Sequence, residues 1–305
     1  MADLTVRYNQ RAAQPVGQGR STYATGLLLT LTGVLLMTPD ALLIRLIDVE
    51  SWSLVIWRGG LVAIAMLVFL IVQFRGRFWR GFAGFGAGGF VAALALCFTN
   101  ISFVTAMSEA SVATVMVIFA SVPFFGALIG WLGYGERVPL RTWVAMPFAL
   151  AGLAIAAQSG FTDGNAFGIG LAFCGTLMLA TYLTTLWHER TINNYAATGL
   201  GALCACLIAL NFGDPYAVTG SPEKFGYTVL LALIILPAAM AFFSKGPKYI
   251  SSAEVGLVLL LETVLGPFWV WLVLAEVPEV TTVIGGAVVL ATLVVHSMVA
   301  LRSGR

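Results

Sequence analysis

An internal repeat is the feature of this sequence that most limits the folds open to it. The stretch from Ser111 to Leu153 aligns without a gap on the stretch from Ser251 to Leu293, and eleven of the 43 positions are identical. The identical pairs include Trp131/Trp271, Glu136/Glu276 and Thr142/Thr282. Each copy is apolar enough for a membrane, and a repeated unit with an odd number of crossings must face opposite ways in its two copies.

Composition places the chain in a membrane. Of its 305 residues, 59% are hydrophobic and only 10% are charged, and the mean hydropathy is +0.94. Long apolar runs without two-residue alternation favour helices over a barrel, because helices satisfy their own backbone hydrogen bonds in lipid. The sequence therefore predicts an all-α integral membrane protein. A net charge of only +2 gives no support to nucleic-acid binding, and no nucleotide-binding or metal-ligand motif calls for a cofactor.

Charged and Pro/Gly-rich segments divide the chain into ten predicted transmembrane helices. Those of the first half lie near Tyr23–Ile44, Ser53–Phe74, Phe82–Thr105, Ala110–Leu132 and Thr142–Gln158. Those of the second half lie near Gly168–Leu186, Ala196–Phe212, Tyr227–Phe243, Val255–Leu274 and Thr281–Leu301. We therefore expect two inverted five-helix repeats at residues 22–159 and 160–301, between tails at residues 1–21 and 302–305.

Basic residues predict the orientation, because short cytoplasmic loops of membrane proteins carry an excess of Lys and Arg. With the N-terminus inside, thirteen basic residues fall in cytoplasmic segments and only Arg45 and Lys224 fall outside. Both termini are then expected in the cytoplasm of a cell whose inner membrane holds the protein. Glu136 lies inside in this arrangement and its repeat mate Glu276 outside, as inverted halves require.

A few charged residues lie within the predicted spans, where each costs about 2.5 to 3.5 kcal/mol on insertion scales and needs a partner or a purpose. Glu262, near the middle of the ninth span, is a candidate to bind a substrate amine or exchange a proton; the alternative is a protonated glutamate that fixes helix packing. Asp40 and Arg58 are placed to form an ion pair; for Arg58 we favour a structural role, and for Asp40 a structural role and a functional one both stay open. At an offset of 142 residues Asp40 maps onto Tyr182, which predicts two gates near opposite mouths of one pathway.

Other polar and helix-breaking residues extend this set. The amide of Asn100, the phenol of Tyr182 and the indole of Trp271 could bind an amphipathic ligand. For Trp271 we favour the alternative of an interfacial aromatic belt, and for Asn100 hydrogen bonds to neighbouring helices remain an equal alternative. Prolines inside helices remove hydrogen bonds and are candidate hinges of a rocking transporter. The candidates are Pro39, Pro123, Pro237 and Pro267.

The chain resembles the drug/metabolite transporter superfamily, specifically its EamA-type exporters. The resemblance rests on the repeat, on the ten spans, and on the fourth and ninth spans, each of which ends at a glutamate. The carrying segments run from Ser111 through Pro123 to Glu136 and from Ser251 through Glu262 to Glu276. Within that family the region Asn100–Glu136 is most similar to bacterial exporters of aromatic amino acids. One departure is Leu261-Glu262-Thr263, where the family usually has Leu-Glu-Pro, so that Pro267 becomes the candidate hinge in its place.

The resemblance implies a non-enzymatic secondary transporter that exports small amphipathic metabolites, with aromatic amino acids favoured, by alternating access at the interface of the two halves. Its expected partners are a small-molecule substrate and the lipid bilayer, and it would work as a monomer or homodimer. Three alternatives remain open at this point: export of other metabolites, export of drug-like cations by proton antiport, and a membrane scaffold or sensor that transports nothing.

Overall fold

The computed structural model describes residues 20–135, 140–162, 166–243 and 252–303, and all regular secondary structure in these ranges is helical. The first half contains a 3₁₀ turn at Phe78–Phe82 and seven described α-helices. These are α1 (Arg20–Met37), α2 (Asp40–Ile47), α3 (Ser51–Gln73), α4 (Gly86–Glu109), α5 (Val112–Phe119), α6 (Val122–Tyr134) and α7 (Leu140–Thr162). Glu136 lies outside the described residues.

The second half adds seven α-helices and one π-helical segment. The helices are α8 (Ala166–His188), α9 (Asn194–Ala209), α10 (Tyr216–Thr219), α11 (Pro222–Val229), α12 (Leu236–Phe243), α13 (Ser252–Leu274) and α14 (Val280–Ser303). The π-helical segment Leu230–Ile235 joins α11 to α12 into one continuous rod.

The lengths and composition of these helices confirm the prediction of an all-α membrane protein. Six apolar helical segments are long enough to cross a membrane, and they lie at Ala24–Ile47, Ser51–Gln73, Gly86–Glu109, Val112–Tyr134, Ala166–His188 and Pro222–Phe242. Shorter apolar helical segments lie at Thr142–Gln158, Asn194–Ala209, Leu261–Leu274 and Val280–His296. Most boundaries fall within a few residues of those predicted from the sequence.

Two of the long segments are interrupted near their middles. The first breaks between α1 and α2, where Pro39 has no N–H to continue the helical ladder. The fourth breaks at Ala120 and Ser121, between α5 and α6, and Pro123 lies in the first turn of the new helix. Trp269 of α13 donates a 3.1 Å hydrogen bond to the hydroxyl of Thr38, so the first break is held by a helix from the other half of the chain.

The main packing contacts join helices of the first half to helices of the second. The most extensive contacts are those of α4 with α8, α7 with α14, α3 with α9, α4 with α9 and α1 with α12. Helix α13 packs against α1, α2 and α5 as well as its neighbour α14. The two halves are therefore interleaved, and the centre of the bundle lies between them.

Small residues permit the closest of these approaches. A methyl group added at Gly285 of α14 would lie 2.4 Å from the carbonyl oxygen of Gly152 and 2.4 Å from the amide nitrogen of Ala156, both on α7. Contacts of this length to backbone cannot be relieved by turning a side chain. Helices without a hydrophobic driving force between them associate through such close packing of small residues.

The first prediction compares Gly285→Ala with Gly170→Ala. Both glycines lie inside helices, but a methyl group at Gly170 meets nothing within 4 Å. We expect Gly285→Ala to lower the free energy of unfolding by about 1–3 kcal/mol through overpacking. Gly170→Ala should be neutral or slightly stabilising, because alanine favours the helix. Thermal unfolding of the two purified variants measures the difference, and equal stability would contradict the close approach of α7 and α14.

Candidate functional site

A cavity of about 260 Å³ lies at the centre of the bundle and is lined by side chains from both halves of the chain. Most of its wall is apolar and adaptable. Its sulfur-containing and aromatic side chains are those of Met37, Met66, Met116, Met240, Phe103 and Phe119. Its principal polar side chains are those of Asp40, Arg58, Asn100, Tyr182 and Glu262. The structure thus brings together four of the five residues predicted to bind substrate or act as gates, and Arg58 with them.

Arg58 is the centre of a charged cluster on one side of the cavity. One terminal nitrogen of its guanidinium is 2.7 Å from Asp40 Oδ2, and the other donates a 2.8 Å hydrogen bond to Asn100 Oδ1. The guanidinium also lies 5.6 Å from the centre of the Phe103 ring, in a cation–π contact. The cluster therefore ties α2, α3 and α4 together inside the membrane.

The backbone prepares this position for Asp40. The residue begins α2 directly after the Pro39 break and is the acidic residue of the first turn, where the partial positive charge of a helix N-terminus stabilises a carboxylate. The side chain is only 5% exposed and that of Arg58 only 8%. Two atoms of the pair, Asp40 Oδ1 and Arg58 Nε, are buried without a hydrogen-bond partner among the described residues, so the cluster is not fully satisfied by the protein.

Glu262 also lines the cavity, from α13, and differs from Asp40 in its surroundings. It is half-buried, and its carboxyl makes no hydrogen bond or ion pair with any residue in the described ranges. Asp40 and Arg58 line the same cavity. A carboxyl that faces an apolar cavity without a partner is the group most open to a ligand or a proton.

Tyr182 is buried on α8 and lines the cavity from the side of the second half. Its hydroxyl donates to Asn194 Oδ1 and lies 2.9 Å from the hydroxyl of Thr198, both on α9. The phenol therefore ties α8 to α9, much as Arg58 ties the helices of the first half. Thr198 also lines the cavity.

Repeat-related positions meet on the wall of this cavity. The offset of 140 residues gives three pairs whose members all line the cavity. These pairs are Phe119/Leu259, Val122/Glu262 and Pro123/Thr263. At the offset of 142 residues, Met37 pairs with Leu179 and Asp40 with Tyr182, and these four also line it. The cavity therefore lies where corresponding parts of the two halves face each other.

Trp271 does not line the cavity, although it was a candidate for substrate binding. Nine residues separate it from Glu262, which is two and a half helical turns, so the two side chains leave α13 on opposite faces. The Trp271 side chain is 48% exposed on the surface of the bundle. This location agrees with the alternative interpretation as an aromatic residue of the membrane interface.

The four candidate hinge prolines have different surroundings. Pro39 and Pro123 accompany the two helix breaks, and Pro123 lines the cavity. Pro237 follows the π-helical segment and faces an apolar groove between α3 and α12. Pro267 lies inside α13, which continues through it without a break. The interruptions of the bundle therefore come from the first half.

Several lining residues were missed from the sequence. Thr198 is an ordinary threonine in an alanine-rich helix, and nothing local distinguishes it. The four methionines and the edge-to-face pair of Phe103 and Phe119, with ring centres 5.0 Å apart, also escaped notice. Apolar residues are common throughout a membrane chain, so only tertiary structure shows which of them face a cavity.

A second charged contact lies away from the cavity, at the end of α2. A terminal nitrogen of Arg45 is 3.4 Å from Glu276 Oε1 and donates a 2.8 Å hydrogen bond to the carbonyl of Ala110. The same carboxylate oxygen accepts a 3.4 Å hydrogen bond from the backbone N–H of Val112, at the start of α5. These contacts join the ends of α2, α5 and α13 at one end of the bundle.

The sequence pattern of the EamA-like transporter family matches this chain over residues 24–158 and again over 166–298. Together these segments cover most of the chain. The protein belongs to the EamA-like transporter family. It is therefore a multi-pass membrane protein of a transporter family within the drug/metabolite transporter superfamily.

Two individual proteins are similar to this EamA-like transporter. An uncharacterized transporter of Archaeoglobus fulgidus is 27% identical over 199 residues, which are 63% of this chain and 70% of the relative. A protein of known crystal structure superposes with a TM-score of 0.62 at 16% identity, over 92% of this chain and 98% of that one. The second similarity concerns the fold alone.

The second prediction concerns the Asp40–Arg58 pair of this EamA-like transporter. Arg58→Met leaves a buried carboxylate unpaired and should lower the free energy of unfolding by about 3–5 kcal/mol. The double variant Asp40→Asn/Arg58→Met removes both charges and should recover most of that loss. Unfolding measurements on the two single variants and the double variant complete a double-mutant cycle. Additive losses would contradict a direct interaction between the two side chains.

Proposed function

We propose that this protein is a secondary transporter that exports small amphipathic metabolites bearing an amino group across the cytoplasmic membrane by alternating access. Amino acids, with aromatic ones first, are the expected substrates. The observation that carries the proposal is the central cavity, where repeat-related positions of both halves meet around the carboxyl of Glu262, which has no hydrogen-bond or ion-pair partner among the described residues. Membership of a transporter family agrees with this assignment.

The proposed architecture is ten spans in two inverted halves, and the helix packing supports it. When the ten spans are numbered along the chain, the contact of α4 with α8 joins the third span to the sixth, and the contact of α1 with α12 joins the first span to the eighth. A twofold axis between the halves exchanges spans one to five with spans six to ten. It therefore converts the contact between the third and sixth spans into the contact between the eighth and first. The pairs α3 with α9 and α7 with α14 each map onto themselves. Such a packing scheme is expected when two homologous halves are related by a pseudo-twofold axis.

The proposed orientation places both termini in the cytoplasm. Its support is the distribution of basic residues, thirteen of which fall on the side assigned to the cytoplasm against two on the other. In this orientation the contact between Arg45 and Glu276 lies at the outer end of the bundle. Tyr182 and its partner Thr198 lie toward the inner end.

Alternating access requires the two ends of the pathway to open in turn around a fixed site. The Arg45–Glu276 contact joins helices of both halves, so it must part before the outer end can open. At the other end, separation of α8 from α9 would break the hydrogen bonds of Tyr182 with Asn194 and Thr198. We propose these two sets of contacts as the outer and inner closures, with Asp40 and Tyr182 on the cavity side of each.

The lining suits a small ligand with one apolar and one polar end. Ligand pockets are mostly apolar with a few placed polar groups, and methionines adapt their shape to different apolar surfaces. The cavity volume of about 260 Å³ is just below the usual range of about 300–1,000 Å³ for ligand sites. A single aromatic amino acid is of the right order of size, and a peptide is not.

A scaffold or sensor without transport is the competing function. It requires no cavity on the axis between the halves and no unpartnered carboxyl inside one. Solute flux into vesicles that contain only this protein separates the two possibilities.

The third prediction is saturable counterflow of phenylalanine in proteoliposomes that contain only the purified protein. Glu262→Gln should reduce the initial rate about tenfold or more, because loss of a charge-assisted hydrogen bond costs ~1.5–3 kcal/mol. The matched control is Trp271→Phe, on the opposite face of the same helix, which should retain the wild-type rate.

Three results would contradict the proposed function. These are the absence of counterflow across a panel of amino acids and their amine analogues, a linear concentration dependence typical of a channel, and a normal rate in Glu262→Gln.

A further inference from the structure

The described lining of the cavity contains more negative than positive groups. Among the described residues that line it the charged ones are Asp40, Arg58 and Glu262, so two carboxylates face one guanidinium when all three are ionised. An excess negative charge inside a membrane bundle needs compensation by a cation or by a proton. The charge of the lining therefore constrains the charge of the ligand.

The two carboxyls are not equivalent. Asp40 is almost fully buried and already bound to Arg58 at 2.7 Å through Oδ2, and its other oxygen, Oδ1, is a buried atom without a hydrogen-bond partner among the described residues. Glu262 faces the cavity and has no hydrogen-bond or ion-pair partner within the described part of the chain. A cationic ligand that enters the cavity therefore finds one carboxyl available, and that carboxyl belongs to Glu262.

The guanidinium of Arg58 is also committed. Its two terminal nitrogens bind Asp40 and Asn100, and its face lies over Phe103. Its remaining nitrogen, Nε, is buried and has no hydrogen-bond partner among the described residues. A ligand carboxylate would therefore find no exposed, uncommitted cation on the described lining, and it would lie near the carboxyl of Glu262. Burial of an unpaired charge is strongly unfavourable.

We infer that the preferred substrate is a monocationic amphipathic amine, whose ammonium binds the Glu262 carboxylate, in preference to the zwitterionic amino acid that carries the same apolar group. A proton occupies the carboxyl when the amine is absent. This inference rests on the proposed transport function and narrows its substrate class. The amine and the proton compete for one oxygen pair, so binding of one releases the other.

The apolar side of the cavity fits the rest of such a ligand. Phe103 and Phe119 form an edge-to-face pair, and the face of Phe103 is already covered by Arg58. Met116 precedes Phe119 on α5 by about one turn and also lines the wall. A ligand ring is therefore expected against Phe119 and Met116, where aromatic and sulfur contacts are favourable.

The pH dependence of binding is expected to come from Glu262 itself. Helix α13 packs against α1, α2, α5 and α14, and Asp40 is the ionisable residue that α2 directs into the cavity, where Arg58 neutralises it. Arg45, at the far end of α2, is paired with Glu276. His296 of α14 is hydrogen-bonded to Thr142 and lies near Phe124, outside the cavity lining. Tyr182 faces the cavity from α8.

Calorimetric titration of the purified full-length protein in detergent tests the inference with three probes that share one ring and a short chain. The probes are phenethylamine, phenylalanine and 3-phenylpropionate. We expect phenethylamine to bind about tenfold or more tightly than phenylalanine, and 3-phenylpropionate to show no binding, because each added carboxylate lacks a partner. Repetition in two buffers of different ionisation enthalpy counts the protons released, and proton release should accompany amine binding at the lower of two pH values.

Variants assign the effect to one carboxyl. Glu262→Gln should abolish both the preference for the amine and the proton release, and Glu262→Asp should retain part of both. The matched control is Glu279→Gln, the same chemical change at an exposed position outside the cavity, which should bind all three probes as the wild type does.

The inference is overturned if phenylalanine binds the wild type as tightly as phenethylamine, if no probe binds, or if Glu262→Gln keeps the preference. If phenylalanine binds as tightly as phenethylamine and also shows counterflow, the amine preference is wrong but the transport function is supported. Failure of the two proposals can therefore be distinguished.

Discussion

A guanidinium inside the membrane is the constraint around which the central part of this structure is organised. Arg58 can remain there only because Asp40 neutralises it, Asn100 accepts a second hydrogen bond and Phe103 covers its face. These partners come from different helices, so satisfying one charge fixes the relative positions of α2, α3 and α4. The break at Pro39 is part of the same arrangement, because it makes Asp40 the start of a helix. The result is a charge-balanced pair in the wall of the cavity, which is also lined by Glu262, a carboxyl without a partner among the described residues.

The repeat gives this site its position, and the differences between the two copies give it its chemistry. Corresponding residues of the two halves line the same cavity, yet the members of each polar pair differ. Asp40 corresponds to Tyr182 and Val122 to Glu262. A symmetric frame allows both ends of the pathway to open by equivalent movements. In the proposed transporter, asymmetric side chains on that frame would give the ligand one defined orientation, with its charged end at Glu262.

The sequence was sufficient for much of the fold and for part of the site. Hydropathy and charge placed the helices, since a membrane leaves few alternatives to them. Asp40, Asn100, Tyr182 and Glu262 were found because polar groups are rare and costly at that depth. The location of Trp271 outside the cavity was less predictable. The sequence places Trp271 and Glu262 on opposite faces of α13, but it does not show which of these faces lines the cavity. Thr198 and the lining methionines have no such signal. That Asp40 has an ion-pair partner and Glu262 has none among the described residues depends on where the fold places Arg58.

Access to the cavity from the two sides of the membrane tests the central claim most directly. A single cysteine replaces Met240, which lines the cavity, in a background without Cys97, Cys174, Cys204 and Cys206. A cysteine at Val104, which is fully buried in α4, serves as the control. With a membrane-impermeant maleimide, a transporter that alternates around this cavity predicts labelling of the Met240 position from either side. Substrate should protect it from both sides, and the Val104 position should remain unreactive. Labelling of the Met240 position from one side only, during conditions that support exchange, would contradict the account.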